Sequence, residues 1–230
     1  MRRRQFIAGL GSAVVWPLAV RAQQADRVRR IGVFMASDVR TQSPAYSAFT
    51  QALAGLGWID GRNVQMEIRS GGAEITRIRT LAHELVDLQP DIILANTTPV
   101  TVAVQRETRM IPIVFVNVSD PVASGIVPRL DRPSGNITGF ANLKASLGGK
   151  YPELLWEIAP GLKRAAVMFN PDTAPVSAYM SSFETAAKSL KVELIIAPVH
   201  SDAEIAAAIV SLGRQPGGGL VVMPDVFQTS

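Results

Sequence analysis

The 230-residue sequence contains no cysteine. Disulfides, thiol nucleophiles, thiolate-held metals and a lipid-modified cysteine anchor are therefore all excluded. It has two histidines, His83 and His200, far apart in the chain, and such a pair makes no metal site. No Gly-x-Ser-x-Gly elbow and no phosphate loop are present, and Gly9-x-Gly11 falls inside the leader described below. No catalytic residue, metal or cofactor is expected. Beyond the leader, no apolar run reaches the roughly 20 residues that a membrane helix needs.

The leader itself is distinctive. Arg2, Arg3 and Arg4 precede an apolar stretch from Phe6 to Val20, and Val20-Arg21-Ala22 offers small side chains at the positions a signal peptidase reads. Residues 1–22 are read as a signal peptide, and the protein as periplasmic, without stable membrane insertion after cleavage. Arg3-Arg4-Gln5-Phe6-Ile7 fits a twin-arginine export signal, and an ordinary secretory signal with an extra arginine fits too. Four of the 23 basic residues lie in this leader, which has no acid, so 19 basic face 19 acidic side chains in the remainder. A formally neutral domain gives no reason to expect a nucleic-acid partner.

The rest of the chain alternates short apolar runs with amphipathic stretches. Strand patterns fall at 30–36, 64–68, 91–95, 113–116 and 136–140, and helical spacing at 44–55, 75–88 and 99–108. The alternating VQMEI run predicts an edge strand, and DIILA a strand buried on both faces. Strands separated by helices imply right-handed βαβ units and a parallel sheet. The pattern then starts again. Arg30 to Asp38 aligns without gaps on Arg164 to Asp172, and Gln89-Pro90 before DIILA echoes Gln215-Pro216 before Gly219 to Met223. A second set of elements is predicted as strand 164–169, helix 175–190, strand 192–197, helix 202–213 and strand 219–223. The expected architecture is α/β, with two Rossmann-like lobes and parallel sheets. An N-terminal lobe spans 29–140 and a hinge or crossover segment 141–163. A partial C-terminal lobe over 164–230 is read as truncated relative to a complete two-lobe protein.

Ligands of open α/β sheets bind beyond the carboxyl ends of the strands. That rule selects Ser37, Asp38, Asn96, Thr97, Thr98, Asn117, Ser119 and Asp120 in the first lobe, and Asn170, Asp172 and Asp225 in the second. Thr97-Thr98-Pro99 sits where a helix begins, and its free N–H groups and dipole attract an anion such as a ligand carboxylate. The same residues also read as a plain helix cap. Asp120 suits a ligand ammonium, and Ser119-Asp120-Pro121 equally suits a turn. A small polar solute of amino-acid type fits such a lining. Two alternatives stay open: an exported hydrolase-like enzyme using a carboxylate pair such as Asp120 and Asp225, and a ligand sensor for a membrane receptor.

Six stretches carry a family resemblance: RRIGVF at 29–34, GLGWIDGRNV at 55–64, LAHELVDLQPDIILA at 81–95, PIVFVNVSDPVASGIV at 112–127, GNITGF at 135–140 and KRAAVMFNPD at 163–172. Together they resemble the ABC-transporter substrate-binding proteins of the tryptophan/tyrosine type, which have the type I periplasmic-binding-protein fold. The resemblance implies a cleft between the lobes, an aromatic or other amino acid as small-molecule ligand, and an ABC-transporter permease as partner. By position it implies that Thr97, Thr98, Asn117, Ser119 and Asp120 face the cleft from one lobe, and Asn170 and Asp225 from the other. Closure by hinge motion near Gly135 and Gly149 is the expected mechanism.

Overall fold

The computed structural model of the protein describes residues 27–36 and 44–224. The leader, Ser37, Asp38 and Asp225 lie outside the described residues. Five strands form the first sheet: β1 (Arg29–Met35), β2 (Val64–Ser70), β3 (Ile92–Asn96), β4 (Ile113–Ser119) and β5 (Ile137–Leu143), in the order β2-β1-β3-β4-β5 and parallel throughout. Between them run α1 (Pro44–Gly55), α2 (Ile75–Asp87) and α3 (Thr98–Glu107). β2 lies at the sheet edge, where its alternating pattern placed it. β3 differs from its prediction. Ile93 and Ala95 are fully buried, whereas Ile92, Leu94 and Asn96 are half-buried. One face of this central strand meets the main core, with Leu85, Val100 and Phe115, while the other shares a smaller cluster with Val33, Phe49 and Met66.

The second sheet holds β6 (Arg164–Phe169), β7 (Glu193–Pro198) and β8 (Gly218–Val222) in the order β7-β6-β8, also parallel. Its helices are α5 (Ser177–Leu190) and α6 (Asp202–Gly213). This order repeats β2-β1-β3, so the echo in the sequence corresponds to a repeated βαβαβ unit. One detail accounts for the shared arginine. Arg30 Nη1 donates to the Leu88 carbonyl at 3.0 Å, just past α2. Arg164 Nη2 donates to the Gln215 carbonyl at 2.9 Å, just past α6. Each guanidinium, carried on the first strand of its unit, satisfies a carbonyl at the end of that unit's second helix, where no helical partner remains.

Between the sheets lie a short 3₁₀ turn (Ala145–Leu147) and α4 (Lys150–Ile158), a helix that the sequence pattern did not show. The expectation for this segment is a hinge or crossover; Pro152 falls in the first turn of the helix, where a missing N–H costs nothing. Tyr151 and Leu155, four residues apart, then reach the second core beside Phe183 and Val221. Ala145 belongs to both halves. Its N–H donates to Asp120 Oδ2 at 2.7 Å, and its carbonyl accepts from Ser182 Oγ at 3.1 Å. No helix among the described residues is long and apolar enough to cross a membrane.

Candidate functional site: the cleft between the lobes

The carboxyl ends of β3, β4 and β5 meet in one hydrogen-bonded network. Thr98 Oγ1 accepts the Ser119 N–H at 3.2 Å. Ser119 Oγ donates to Asn142 Oδ1 at 3.4 Å, and Asn142 Nδ2 donates to Asn117 Oδ1 at 2.6 Å. Ser124 Oγ returns to the Ser119 carbonyl at 3.0 Å. Asp120 closes the group, Oδ1 accepting the Ala123 N–H at 3.0 Å while Oδ2 holds Ala145. Thr97, Thr98, Asn117, Ser119 and Asp120 are thus neighbours at one end of the sheet. Asn142 and Ser124 join them without having been anticipated, Asn142 because β5 runs beyond the apolar pattern that marked it.

The backbone here is unusual. Thr97 (φ 84°), Asn117 (φ 55°) and Asp120 (φ 40°) all have positive φ, a region that favours glycine. Asn117 sits where the β4–β5 register shifts between Phe115 and Val118, and such a bulge redirects a side chain. Thr97 precedes α3, but its side chain makes no capping bond, and its buried Oγ1 has no hydrogen-bond partner among the described residues. The plain-cap reading therefore does not account for it. Strain of this kind gathers at ligand sites, where surrounding structure enforces it.

On the second lobe, Asn170 follows β6 and is buried. Its Oδ1 accepts the Asp172 N–H at 2.9 Å, and its carbonyl accepts the Ala174 N–H at 2.9 Å. It shapes the turn that presents Asp172 to Pro175 towards the first lobe. Between this turn, the N-terminal part of α2 and the length of α3 lies a cavity of about 260 Å³. Thr98, Pro99, Val102 and Ser124 wall it on one side and Asp172, Thr173 and Pro175 on the other, with Arg79 and Arg106 also on its lining. Of the predicted positions that the structure describes, Thr98 and Asp172 are on the wall of this cavity; Asn96, Thr97, Asn117, Ser119, Asp120 and Asn170 are not. Thr173 was not foreseen. It is buried, and its Oγ1 has no partner among the described residues.

Tyr179 of α5 was not foreseen either. Burial pushes its phenol up to about 12, helped by the negative charge of Asp120 and by Tyr151. Its hydroxyl lies beside the Ser119 side chain, a contact that lowers the pKa slightly, but the approach is too long or poorly aligned to count as a full hydrogen bond. A second-lobe helix thus packs beside the polar end of the first sheet. Among the described residues, no group of three or more His, Asp or Glu side chains could hold a metal ion.

Comparison with known proteins agrees with this two-lobed arrangement. A tyrosine-binding protein of Clostridioides difficile is 27% identical over 184 residues, which is 80% of this chain and 53% of that protein. A conserved domain protein from Vibrio cholerae superposes with a TM-score of 0.70 at 26% identity, covering 81% of this chain and 62% of the other. The ABC domain from Streptococcus pneumoniae in complex with L-Trp gives a TM-score of 0.73 at 20% identity, covering 86% and 65%. The chain thus spans about half the length of the tyrosine-binding protein and less than two thirds of either structure. The description of the ABC transporter substrate binding proteins, a non-enzymatic class, matches residues 30–230, and the chain belongs to that family.

Proposed function

We propose that this chain is the solute-binding component of an ABC importer, acting after export to the periplasm and capturing a small polar solute of amino-acid type between its lobes. One observation carries the reading: a single cavity takes Thr98 and Ser124 from the first lobe and Asp172 and Thr173 from the second. A solute that bonds to both walls favours the closed arrangement by its differential affinity for it, and a permease can then read closure. No covalent step is needed. The relatives that carry tyrosine or tryptophan in their descriptions make an amino acid the first class to test.

Thermal melting of the purified protein with L-tyrosine, L-tryptophan and L-leucine tests this. A ligand present at about 100 times its Kd adds about 2.7 kcal/mol of stability, which is several degrees in melting temperature. A concentration-dependent rise with at least one of the three, or with L-glutamate as a fourth, is expected. No rise with any of the four would refute the amino-acid reading.

A further inference from the structure

The helices α2 and α3 carry more positive charge towards the cleft than their own acids neutralise. Glu84 lies 3.9 Å from Arg69. Asp87 and Glu107 both face His83, at 3.5 and 3.0 Å. Glu74 caps α2 through the Thr76 and Arg77 N–H groups. Arg77 lies beside Glu74 and lines a different pocket. Arg79 and Arg106 are left; both are exposed, among the described residues neither guanidinium makes a hydrogen bond or an ion pair, and both line the cavity. Asp172 lines the opposite wall without reaching ion-pair distance of either guanidinium.

Their positions follow from helix geometry. On α3, Pro99, Val102 and Arg106 lie on one face, and helical side chains lean back towards the N-terminus, so Arg106 reaches over Val102. On α2, Ile75, Ile78 and Arg79 occupy the facing turn. The cleft therefore has an apolar floor with two exposed guanidinium groups at its rim, Arg106 by the last turn of α3, while the N-terminus of α3 adds positive potential at Thr98. The single α-carboxylate of a net-neutral amino acid can engage the start of α3 or one guanidinium, which leaves at least one guanidinium without an anionic partner. A guanidinium pairs best with a carboxylate, which it can grip with two parallel N–H···O bonds.

We propose that the solute taken by this cleft is a net-anionic acid, bearing a carboxylate beyond that of a neutral amino acid, and that Arg79 and Arg106 hold this extra group. The inference rests on the cleft being the capture site and names the class of solute within that reading. The floor of Ile75, Ile78 and Val102 suits an aliphatic or aromatic spacer between the two acidic ends.

Calorimetric titration with matched pairs tests it: L-glutamate against L-glutamine, and 4-carboxy-L-phenylalanine against L-phenylalanine. Within at least one pair the acid is expected to bind about tenfold tighter, with the margin shrinking in about 0.5 M salt as the charges are screened. In the doubly substituted R79Q/R106Q protein, shown to be folded by its melting curve, the preferred acid should fall to within about threefold of its neutral partner. Glutarate, which lacks the ammonium, shows whether the acid is an amino acid or a plain dicarboxylate. Equal affinity within each pair overturns the inference and leaves solute capture standing. So does equal weakening of both members by R79Q/R106Q and by D172N, which would make the arginines a latch for the opposite lobe. If none of the five compounds gives heat, the capture of amino acids and related acids fails, and this inference fails with it.

Discussion

The Asp120 carboxylate holds the Ala145 amide at 2.7 Å, joining the end of β4 to the segment that leads into the second sheet. Its other oxygen accepts the Ala123 N–H in its own turn. Both bonds are made to a charged acceptor, so Asp120→Ala should cost about 2–3 kcal/mol, and Asp120→Asn, which keeps one acceptor oxygen, should cost less. Urea denaturation followed by circular dichroism measures both. An unchanged midpoint for the alanine variant would mean that the tether contributes nothing to stability.

Thr97 adopts φ 84° and ψ 160°, a conformation natural to glycine alone, and its Oγ1 is buried without a partner. Thr97→Gly relieves the strain while adding freedom to the unfolded chain, for a net gain of up to about 1 kcal/mol. If strained geometry there serves ligand capture, the same variant binds solute more weakly. A loss of stability in the glycine variant would show that the threonine side chain is held by packing strong enough to outweigh the strain.

Tyr179 combines complete burial with a hydroxyl whose nearest polar contact, the Ser119 side chain, falls short of a full hydrogen bond. Removing that hydroxyl leaves the ring packing intact and relieves an unmet polar group, so Tyr179→Phe should be neutral or stabilising by up to about 1 kcal/mol. The alkaline ultraviolet titration should also lose its highest-pH step, since this phenol is pushed up to about 12. A clear fall in melting temperature for the variant would reveal a hydrogen bond to the hydroxyl.

His83 ties α2 to α3. The hydrogen bond to Glu107, then the charges of Asp87 and Glu107, raise its pKa above the ordinary 6.5. A group whose folded pKa is raised stabilises the fold fully below its unfolded value and loses that contribution as pH rises through the folded one. Melting temperature should therefore decline as pH rises above the ordinary 6.5, in part through this residue, and His83→Gln should flatten that decline. An identical slope in both proteins would show that the exposed pair adds nothing.

Much of the fold was legible because it depends on local pattern. Apolar runs and helical spacing placed the strands and most helices, and the gap-free match of Arg30 to Asp38 with Arg164 to Asp172 marked a unit that recurs as β2-β1-β3 and β7-β6-β8. The helix Lys150–Ile158 was hidden because a proline at a tolerated position looks the same in sequence as one that breaks a helix. The strand-end rule brought Thr97, Thr98, Asn117, Ser119 and Asp120 to one place. It could not say which of them reach the cavity wall, because that depends on how the second lobe's turn is docked. Arg79 and Arg106 escaped for a different reason. They lie within helices, and a charged residue there reads as a solvated face until the opposing lobe is seen. Thr173 lies in a turn that Asn170 shapes through bonds that spacing alone does not show.

The central claim is that solute binds in the space bounded by Thr98 and Val102 on α3 and by Thr173 on the opposite turn. Titration calorimetry of the protein and of Val102→Trp, with the solute that most raises the melting temperature, tests it directly. The indole fills a large share of a cavity of about 260 Å³ from a half-buried position. The account predicts saturable binding to the unsubstituted protein and at least a tenfold loss, about 1.4 kcal/mol, in a Val102→Trp protein that still melts cooperatively. Undiminished affinity in that folded variant would place the solute elsewhere and contradict the account.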